Sequence, residues 1–138
     1  MNRHEIGFKG ICLRAAEEGD GRTLEGIAVP FGSIIDTWKG AETFDPDCRF
    51  DDVDNAKLCY QHGELIGRIT GAESRNDGLH ITARISDTQR GRDVVALLRD
   101  GALDSLSVGF IPVQDETDKQ GITHRKRVRL LETSVVSW

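Results

Sequence analysis

Ser107 is a candidate nucleophile because it lies at the centre of the apolar stretch LSVGF, Leu106 to Phe110. A serine hydroxyl in a strand can pack, form a hydrogen bond or react, and reaction requires a base within hydrogen-bond reach. Ser105 lies two residues earlier, and its side chain is expected on the same face of the strand. No G-x-S-x-G motif surrounds either serine, which excludes the nucleophile elbow of α/β-hydrolases. The chemistry therefore depends on which histidine and which acid reach the hydroxyl.

His62 is the candidate base among the four histidines of the chain. It ends a predicted strand just before a glycine, in CYQHGELIG, and rigid strands commonly display reactive groups at such turns. His4 is close to the N-terminus, whereas His80 and His124 stand among residues typical of a solvent-exposed surface. A single histidine is more often structural than catalytic, so a catalytic role requires a nearby acid.

Glu132 is the candidate acid. Strict alternation through RVRLLETSVV places Glu132 on the same strand face as Leu130, Ser134 and Val136. A carboxylate on a largely apolar face is costly unless a partner compensates it. The sequence pattern leaves that partner open between a histidine and an arginine.

Metal and cofactor chemistry is weakly supported. The acidic stretch Asp45 to Asp54 lacks the turn glycine and the terminal glutamate of a calcium loop. Cys59 and His62 have a C-x-x-H spacing but no further zinc ligands nearby. GDGRTLEG, Gly19 to Gly26, does not fit a nucleotide-binding glycine motif. We therefore predict no metal site and no cofactor.

The cysteines give a weaker alternative. Cys12, Cys48 and Cys59 are odd in number and form no CxxC pair, which is typical of reduced thiols in a cytosolic setting. A cysteine hydrolase that uses Cys59 or Cys48 is the third hypothesis for this chain.

Length, net charge and hydropathy argue against a nucleic-acid-binding protein and against a membrane-spanning protein. The chain has 138 residues, enough for one domain, and a net charge of −5, which argues against a general nucleic-acid binder. It contains no apolar run long enough to span a membrane and no signal-peptide pattern. The basic run HRKRVR, His124 to Arg129, is interpreted as a solvated outer strand face.

Short alternating segments between turn signals predict a mainly β (α+β) fold. The first two segments are expected to form a hairpin around Gly19 to Gly21. The predicted strands are Glu5 to Ala16, Thr23 to Phe31, Ala56 to His62, Leu65 to Ala72, Leu79 to Ile85, Ser105 to Val113 and Ile122 to Val136.

One helix is predicted after the fifth strand. Asp87 or Thr88 is expected to cap it, and Gly101 to end it in the left-handed conformation. Its predicted apolar stripe consists of Val94, Leu97 and Leu98.

The acidic stretch Ile34 to Asn55 is expected to be irregular, as a loop or a short second helix. The whole chain, residues 1–138, is predicted to form a single-domain, mostly antiparallel β-barrel with one or more flanking helices, because barrel closure removes exposed strand edges.

A set of motifs in a fixed order carries a resemblance to a known family. In chain order they are EGIAVPFG (Glu25 to Gly32), ETF (Glu42 to Phe44), YQHG (Tyr60 to Gly63), IGR (Ile66 to Arg68), DGLHITARISDT (Asp77 to Thr88), GRDVVALLRDGALDSLSVGF (Gly91 to Phe110) and LLETSVVS (Leu130 to Ser137). Together they resemble the prohead maturation proteases of tailed phages, which are similar to the herpesvirus assemblins. The motifs span nearly the whole chain.

The resemblance implies roles for individual residues. Ser107 corresponds to the serine of the family's L-S-[IV]-G-F strand, His62 to the histidine of its H-[DG] turn, and Glu132 to the acid of its E-x-S-x-V strand. Ser105 is the rival nucleophile. The region Arg125 to Arg127 is expected to lie at the oxyanion site. An assemblin-like barrel is the implied fold.

The resemblance also implies a biological role. It predicts a serine endopeptidase that cleaves the major capsid protein and its scaffold segment, inside the immature capsid (prohead) in the host cytoplasm. Homodimer formation is expected by analogy with the assemblins. The alternative is a non-catalytic β-barrel that acts as an assembly or scaffolding module of the same particle.

The chain departs from the family in two places. It has DPDCRF, Asp45 to Phe50, where relatives have a Pro-Gly-Ala-Phe element. It ends at Trp138, where relatives continue, so we expect a C-terminal tail to be missing or removed.

Overall fold

Alternating apolar segments build one large β-sheet in the computed structural model, which describes residues 4–8, 14–15 and 21–137. The elements are β1 (His4–Phe8), β2 (Arg14–Ala15), β3 (Thr23–Pro30), β4 (Ile35–Thr37), β5 (Gly40–Asp51), a 3₁₀ turn (Val53–Asn55), β6 (Lys57–Tyr60), β7 (Glu64–Arg75), β8 (Gly78–Ile85), α1 (Gln89–Arg99), β9 (Ser105–Thr117) and β10 (Thr123–Val136).

The sheet follows the order β1-β9-β10-β6-β7-β8-β3-β2, with β5 also paired to β10 and β4 paired to β5. The mainly β, single-domain prediction with a flanking helix is confirmed. Within the described ranges the sheet does not close into a full barrel. No helix within those ranges has the length and apolar content needed to span a bilayer.

β10 is the centre of the sheet. One edge pairs antiparallel with β9, and the other pairs in parallel with β5 and then with β6. Its last five residues, Glu132 to Val136, are all buried. Both faces of this segment are therefore covered, which explains why simple inside–outside alternation does not describe it.

β8 and α1 follow from the local pattern. Leu79, Ile81, Ala83 and Ile85 of β8 are all buried, as their alternation predicts. The Thr88 side chain caps α1 by accepting a hydrogen bond from the backbone N–H of Gly91 at 3.0 Å.

The predicted apolar stripe of α1 is partly wrong. Val94 is fully buried and Leu98 packs against the core, but Leu97 is 37% exposed and Val95 takes its place on the buried face. Gly101 follows the helix with φ +83°, as predicted.

The first predicted strand, Glu5 to Ala16, contains two described elements that have different partners. β1 pairs with β9, whereas β2 pairs with β3. Part of the predicted segment, and most of the turn that was expected to follow it, lie outside the described residues.

The prediction that Ile34 to Asn55 is irregular is also wrong. This stretch forms β4, the 12-residue strand β5 and a 3₁₀ turn. Acidic side chains of the stretch pair with basic side chains of β10: Arg127 with Asp51 at 2.8 Å and Arg129 with Asp52 at 2.8 Å. β10, about 75 residues further along the chain, supplies the positive charges that compensate these carboxylates. The sequence pattern of one strand cannot reveal such a partner.

Arg125 contradicts the interpretation of HRKRVR as a solvated face. It is 5% exposed, and its guanidinium donates to Glu42 at 2.7 Å and to Asp115 at 2.7 Å. Two carboxylates compensate the buried charge, and the planar guanidinium also lies over the Phe110 ring, 5.5 Å from its centroid.

We expect Gly67→Ala to destabilise the protein and Gly71→Ala, in the same strand, to have little effect. A Cβ at Gly67 would overlap the backbone carbonyl of Arg84, whereas one at Gly71 would lie 3.9 Å from Thr82. Overlap with rigid backbone should lower the free energy of unfolding by about 2 kcal/mol or more. Urea denaturation of both variants measures this; equal stabilities would contradict the close packing of β7 on β8.

We expect His124→Gln to cost more stability in weak acid than in alkali. Hydrogen bonds to Asp118 and to Asp45, both 2.9 Å long, raise the pKa of His124 above its ordinary 6.5. The stabilisation is therefore complete below the unfolded-state pKa and is lost as the pH rises through the folded-state value. Denaturation midpoints of both proteins at about pH 5.5 and about pH 9 test this. A difference that grows with pH would contradict it.

Candidate active site

The turn that carries His62 has an unusual backbone. β6 ends at Tyr60, and the chain reverses through Gln61 and His62, whose φ angles are 54° and 63°. The Gly63 N–H donates to the Tyr60 carbonyl at 3.2 Å and closes the turn. Left-handed backbone at a non-glycine residue costs on the order of 1 kcal/mol or more, so other contacts must hold this turn.

Hydrogen bonds to the end of β10 hold this turn in place. The Gln61 N–H donates to the Val135 carbonyl at 3.0 Å. The Gln61 side-chain amide donates to the Ser137 hydroxyl at 2.6 Å and accepts from the Ser137 N–H at 3.2 Å. The His62 N–H donates to the Ser134 hydroxyl at 3.2 Å. The strained turn is thus fixed to a central strand of the sheet.

Ser107 lies on β9, directly opposite Ser134 of β10, and is fully buried. Its hydroxyl oxygen lies 2.7 Å from Nε2 of His62. Ser105, the rival nucleophile, donates its hydroxyl to the Asp104 carboxylate at 3.0 Å. Of the two serines, Ser107 is the one that the structure brings to the imidazole.

Glu132 lies on the other side of the same imidazole. Its Oε1 is 2.6 Å from Nδ1 of His62, and its Oε2 accepts a hydrogen bond from the Ser134 hydroxyl at 2.5 Å. The pairing of β10 with β9 shifts register between Leu130 and Glu132, a β-bulge that re-aims the glutamate. The carboxylate is 4% exposed, and its charge is compensated by hydrogen bonds inside the fold.

The three side chains form a continuous acid–imidazole–hydroxyl arrangement. A carboxylate can only accept, so the Nδ1 that faces Glu132 carries the hydrogen in the neutral ring. Nε2 then presents its lone pair to the hydroxyl hydrogen of Ser107. Both ring nitrogens are within hydrogen-bond distance of their partners, which is the geometry needed for a base-activated nucleophile.

Sequence reasoning missed two features that create this geometry. Strict alternation could not reveal the bulge before Glu132, and the predicted strand Ala56 to His62 runs two residues too far. His62 belongs to the turn, not to β6. Gly63 indicates a turn, but glutamine and histidine give no sequence signal for the left-handed backbone that Gln61 and His62 adopt.

The region Arg125 to Arg127 does not adjoin the serine. Arg125 lies opposite Asp115 and Arg127 opposite Gln114, whereas Ser107 lies opposite Ser134. At about 3.3 Å per residue, seven or more residues separate the two places by more than about 20 Å along β10. The register of β9 and β10 therefore gives no support to the expected oxyanion site there.

In the described part of the chain, the metal alternative and the Cys48 alternative find little support. The described residues contain no group of three or more His, Cys, Asp or Glu side chains arranged to hold a metal. Burial, and then the nearby Asp45 and Asp47 carboxylates, raise the pKa of Cys48 to about 12. A thiol with that pKa is a poor nucleophile at neutral pH. Cys59 is half-buried on β6.

Comparison with known proteins assigns the family. A family model described as "Caudovirus prohead serine protease" matches residues 10–138. The chain belongs to this family. This prohead serine protease is therefore a serine-type peptidase of phage particle maturation.

A solved structure supports the fold. The protease is similar to the bacteriophage T4 capsid assembly protease, gp21, with a TM-score of 0.57 and 11% identity, over 100% of this chain and 99% of that chain. At this identity the likeness establishes the fold alone. No curated protein sequence matches the chain.

In the folded prohead protease we expect iodoacetamide to leave Cys48 unmodified. At about pH 8 a thiol with a pKa of about 12 is ionised in about one molecule in ten thousand, and this one is also 5% exposed. Peptide mass spectrometry after brief treatment measures the modification, with the urea-unfolded chain as the control. Alkylation of Cys48 at equal rates in both states would contradict the burial described above.

Proposed function

We propose that this prohead protease hydrolyses peptide bonds with Ser107 as nucleophile, His62 as general base and acid, and Glu132 as the group that orients the imidazole. The observation that carries the proposal is the pair of short contacts on opposite sides of one ring. Nδ1 of His62 lies 2.6 Å from Glu132, and Nε2 lies 2.7 Å from the Ser107 hydroxyl.

In the first half of the reaction, the Ser107 oxygen attacks the carbonyl carbon of the scissile peptide bond. The hydroxyl proton passes to Nε2 of His62 as the C–O bond forms. The C–N bond then breaks, and the imidazolium gives its proton to the departing amine. The products of this half are an acyl-serine at Ser107 and the new amino terminus.

In the second half, a water molecule attacks the ester carbonyl and gives a proton to Nε2 of His62. The ester C–O bond breaks, and the proton returns to the Ser107 oxygen. The new carboxyl terminus leaves, and the hydroxyl is restored.

Glu132 acts through the ring and does not carry the proton onward. Its carboxylate keeps the hydrogen on Nδ1, which leaves Nε2 as the basic nitrogen. When the ring is protonated, the nearby negative charge compensates it in a site that is largely closed to water. Oε2 remains bound to Ser134, so the carboxylate stays in place while the ring changes charge.

The proposed substrate is an accessible segment of the major capsid protein or of its scaffold, within the phage procapsid. Membership of the prohead serine protease family supports this assignment. Confinement in a shell raises the effective concentration of enzyme and substrate without any new contact. We therefore expect slow cleavage in dilute solution and efficient cleavage inside the particle.

We expect a fluorophosphonate probe to label Ser107 covalently. Ser107→Ala should abolish labelling, and His62→Ala should slow it by about 10⁴-fold, because the hydroxyl loses its base. Glu132→Gln should have a smaller effect. Ser105→Ala is the matched control, since Ser105 is also a buried serine of β9, and it should be labelled at the wild-type rate.

The readout is the rate of probe incorporation at Ser107, located by peptide mass spectrometry. A parallel assay follows trimming of co-expressed capsid protein. Wild-type trimming by the Ser107→Ala protein would refute the proposal. Either an absence of labelling in the wild type or labelling that His62→Ala leaves unchanged would instead favour a non-catalytic assembly module.

A further inference from the structure

The Ser134 hydroxyl joins the backbone of the proposed base to the proposed acid. It accepts a hydrogen bond from the His62 N–H at 3.2 Å and donates one to Oε2 of Glu132 at 2.5 Å. Ser134 is fully buried. In the reaction described above this hydroxyl transfers no proton.

The direction of both hydrogen bonds is fixed by chemistry. A backbone N–H can only donate, so the Ser134 oxygen must accept from His62. The single hydroxyl hydrogen is then left for Glu132, which is a strong acceptor when ionised. One oxygen atom therefore holds both partners in a defined orientation.

The two partners need such a link because His62 lies outside the strands and Glu132, although on β10, directly follows a register shift. His62 lies in a turn with two positive φ angles, and Glu132 follows a β-bulge. Regular sheet geometry does not determine the distance between them. Ser134, in contrast, lies opposite Ser107 in the β9–β10 ladder, so it shares its register with the proposed nucleophile.

We propose that Ser134 is a positioning residue that sets the His62 imidazole between Glu132 and Ser107. This inference rests on the proposed function and adds a fourth residue to it. The Ser134 hydroxyl holds the turn through the His62 N–H, and it holds the carboxylate through Oε2 of Glu132. Without it, the ring occupies the geometry for proton transfer for a smaller fraction of time.

The test measures fluorophosphonate labelling of the whole chain over a range of probe concentrations. In that reaction the Ser107 oxygen bonds to phosphorus, fluoride leaves, and the hydroxyl proton passes to His62. We expect Ser134→Ala to lower the limiting rate by about 10- to 100-fold, the worth of a hydrogen bond to a charged group. The probe concentration that gives half the limiting rate should stay unchanged.

Thr133 provides the matched control. It is the adjacent residue and is also fully buried, but its hydroxyl has no hydrogen-bond partner. Thr133→Val removes that hydroxyl at constant shape and should leave the limiting rate at the wild-type value. Ser134→Thr keeps the hydroxyl and should restore most of the rate.

A second readout separates positioning from simple loss of stability. The proton shared by Nδ1 of His62 and Glu132 should give a downfield ¹H NMR signal in the wild type, and this signal should weaken in Ser134→Ala while urea denaturation still shows a folded chain. If Ser134→Ala does not fold, Ser134→Cys, close in size but a weak donor, takes its place with the same expected fall in rate.

Two outcomes would overturn the inference: a folded Ser134→Ala or Ser134→Cys protein with the wild-type limiting rate, or an equal fall in rate for Thr133→Val. Both are distinct from failure of the proposed function. That failure would appear as labelling of the Ser107→Ala protein at another residue and at the wild-type rate, whatever the behaviour of Ser134.

Discussion

The buried carboxylate of Glu132 is the constraint on which the site depends. A charge that is 4% exposed must find hydrogen-bond donors inside the fold, or it destabilises the protein. Here His62 and Ser134 satisfy one oxygen each. Satisfying the charge brings the β6–β7 turn against β10, and the imidazole thereby reaches Ser107. The same hydrogen bonds that compensate this charge form the proposed catalytic arrangement.

Local strain at the site is offset by the regular structure around it. The left-handed residues Gln61 and His62 are unfavourable alone, but four hydrogen bonds tie them to the end of β10. β10 can hold them because it is paired along both edges. A second buried charge, Arg125, is compensated by Glu42 and Asp115 at the far end of the same strand. The central strand thus supports two polar clusters within an apolar core.

Local periodicity predicted β8 and α1 because each of them has one face in the core and the opposite face in solvent. It failed for Ile34 to Asn55, where a proline and many acidic residues disfavour a strand in isolation. That stretch becomes β5 because a basic strand distant in sequence pairs with it. Glu132 was suspected from its burial pattern, but the choice between a histidine and an arginine partner depended on the bulge and the turn. Both are tertiary features that no single segment encodes.

The chain order of these elements has a consequence for biosynthesis. His62 is translated first, Ser107 45 residues later and Glu132 another 25 residues on, so a ribosome-bound chain lacks the acid until β10 has emerged. The β6 strand must also wait for β10, because the two pair in parallel. Under the proposed roles, the arrangement of His62, Ser107 and Glu132 therefore assembles only after β10 has been made.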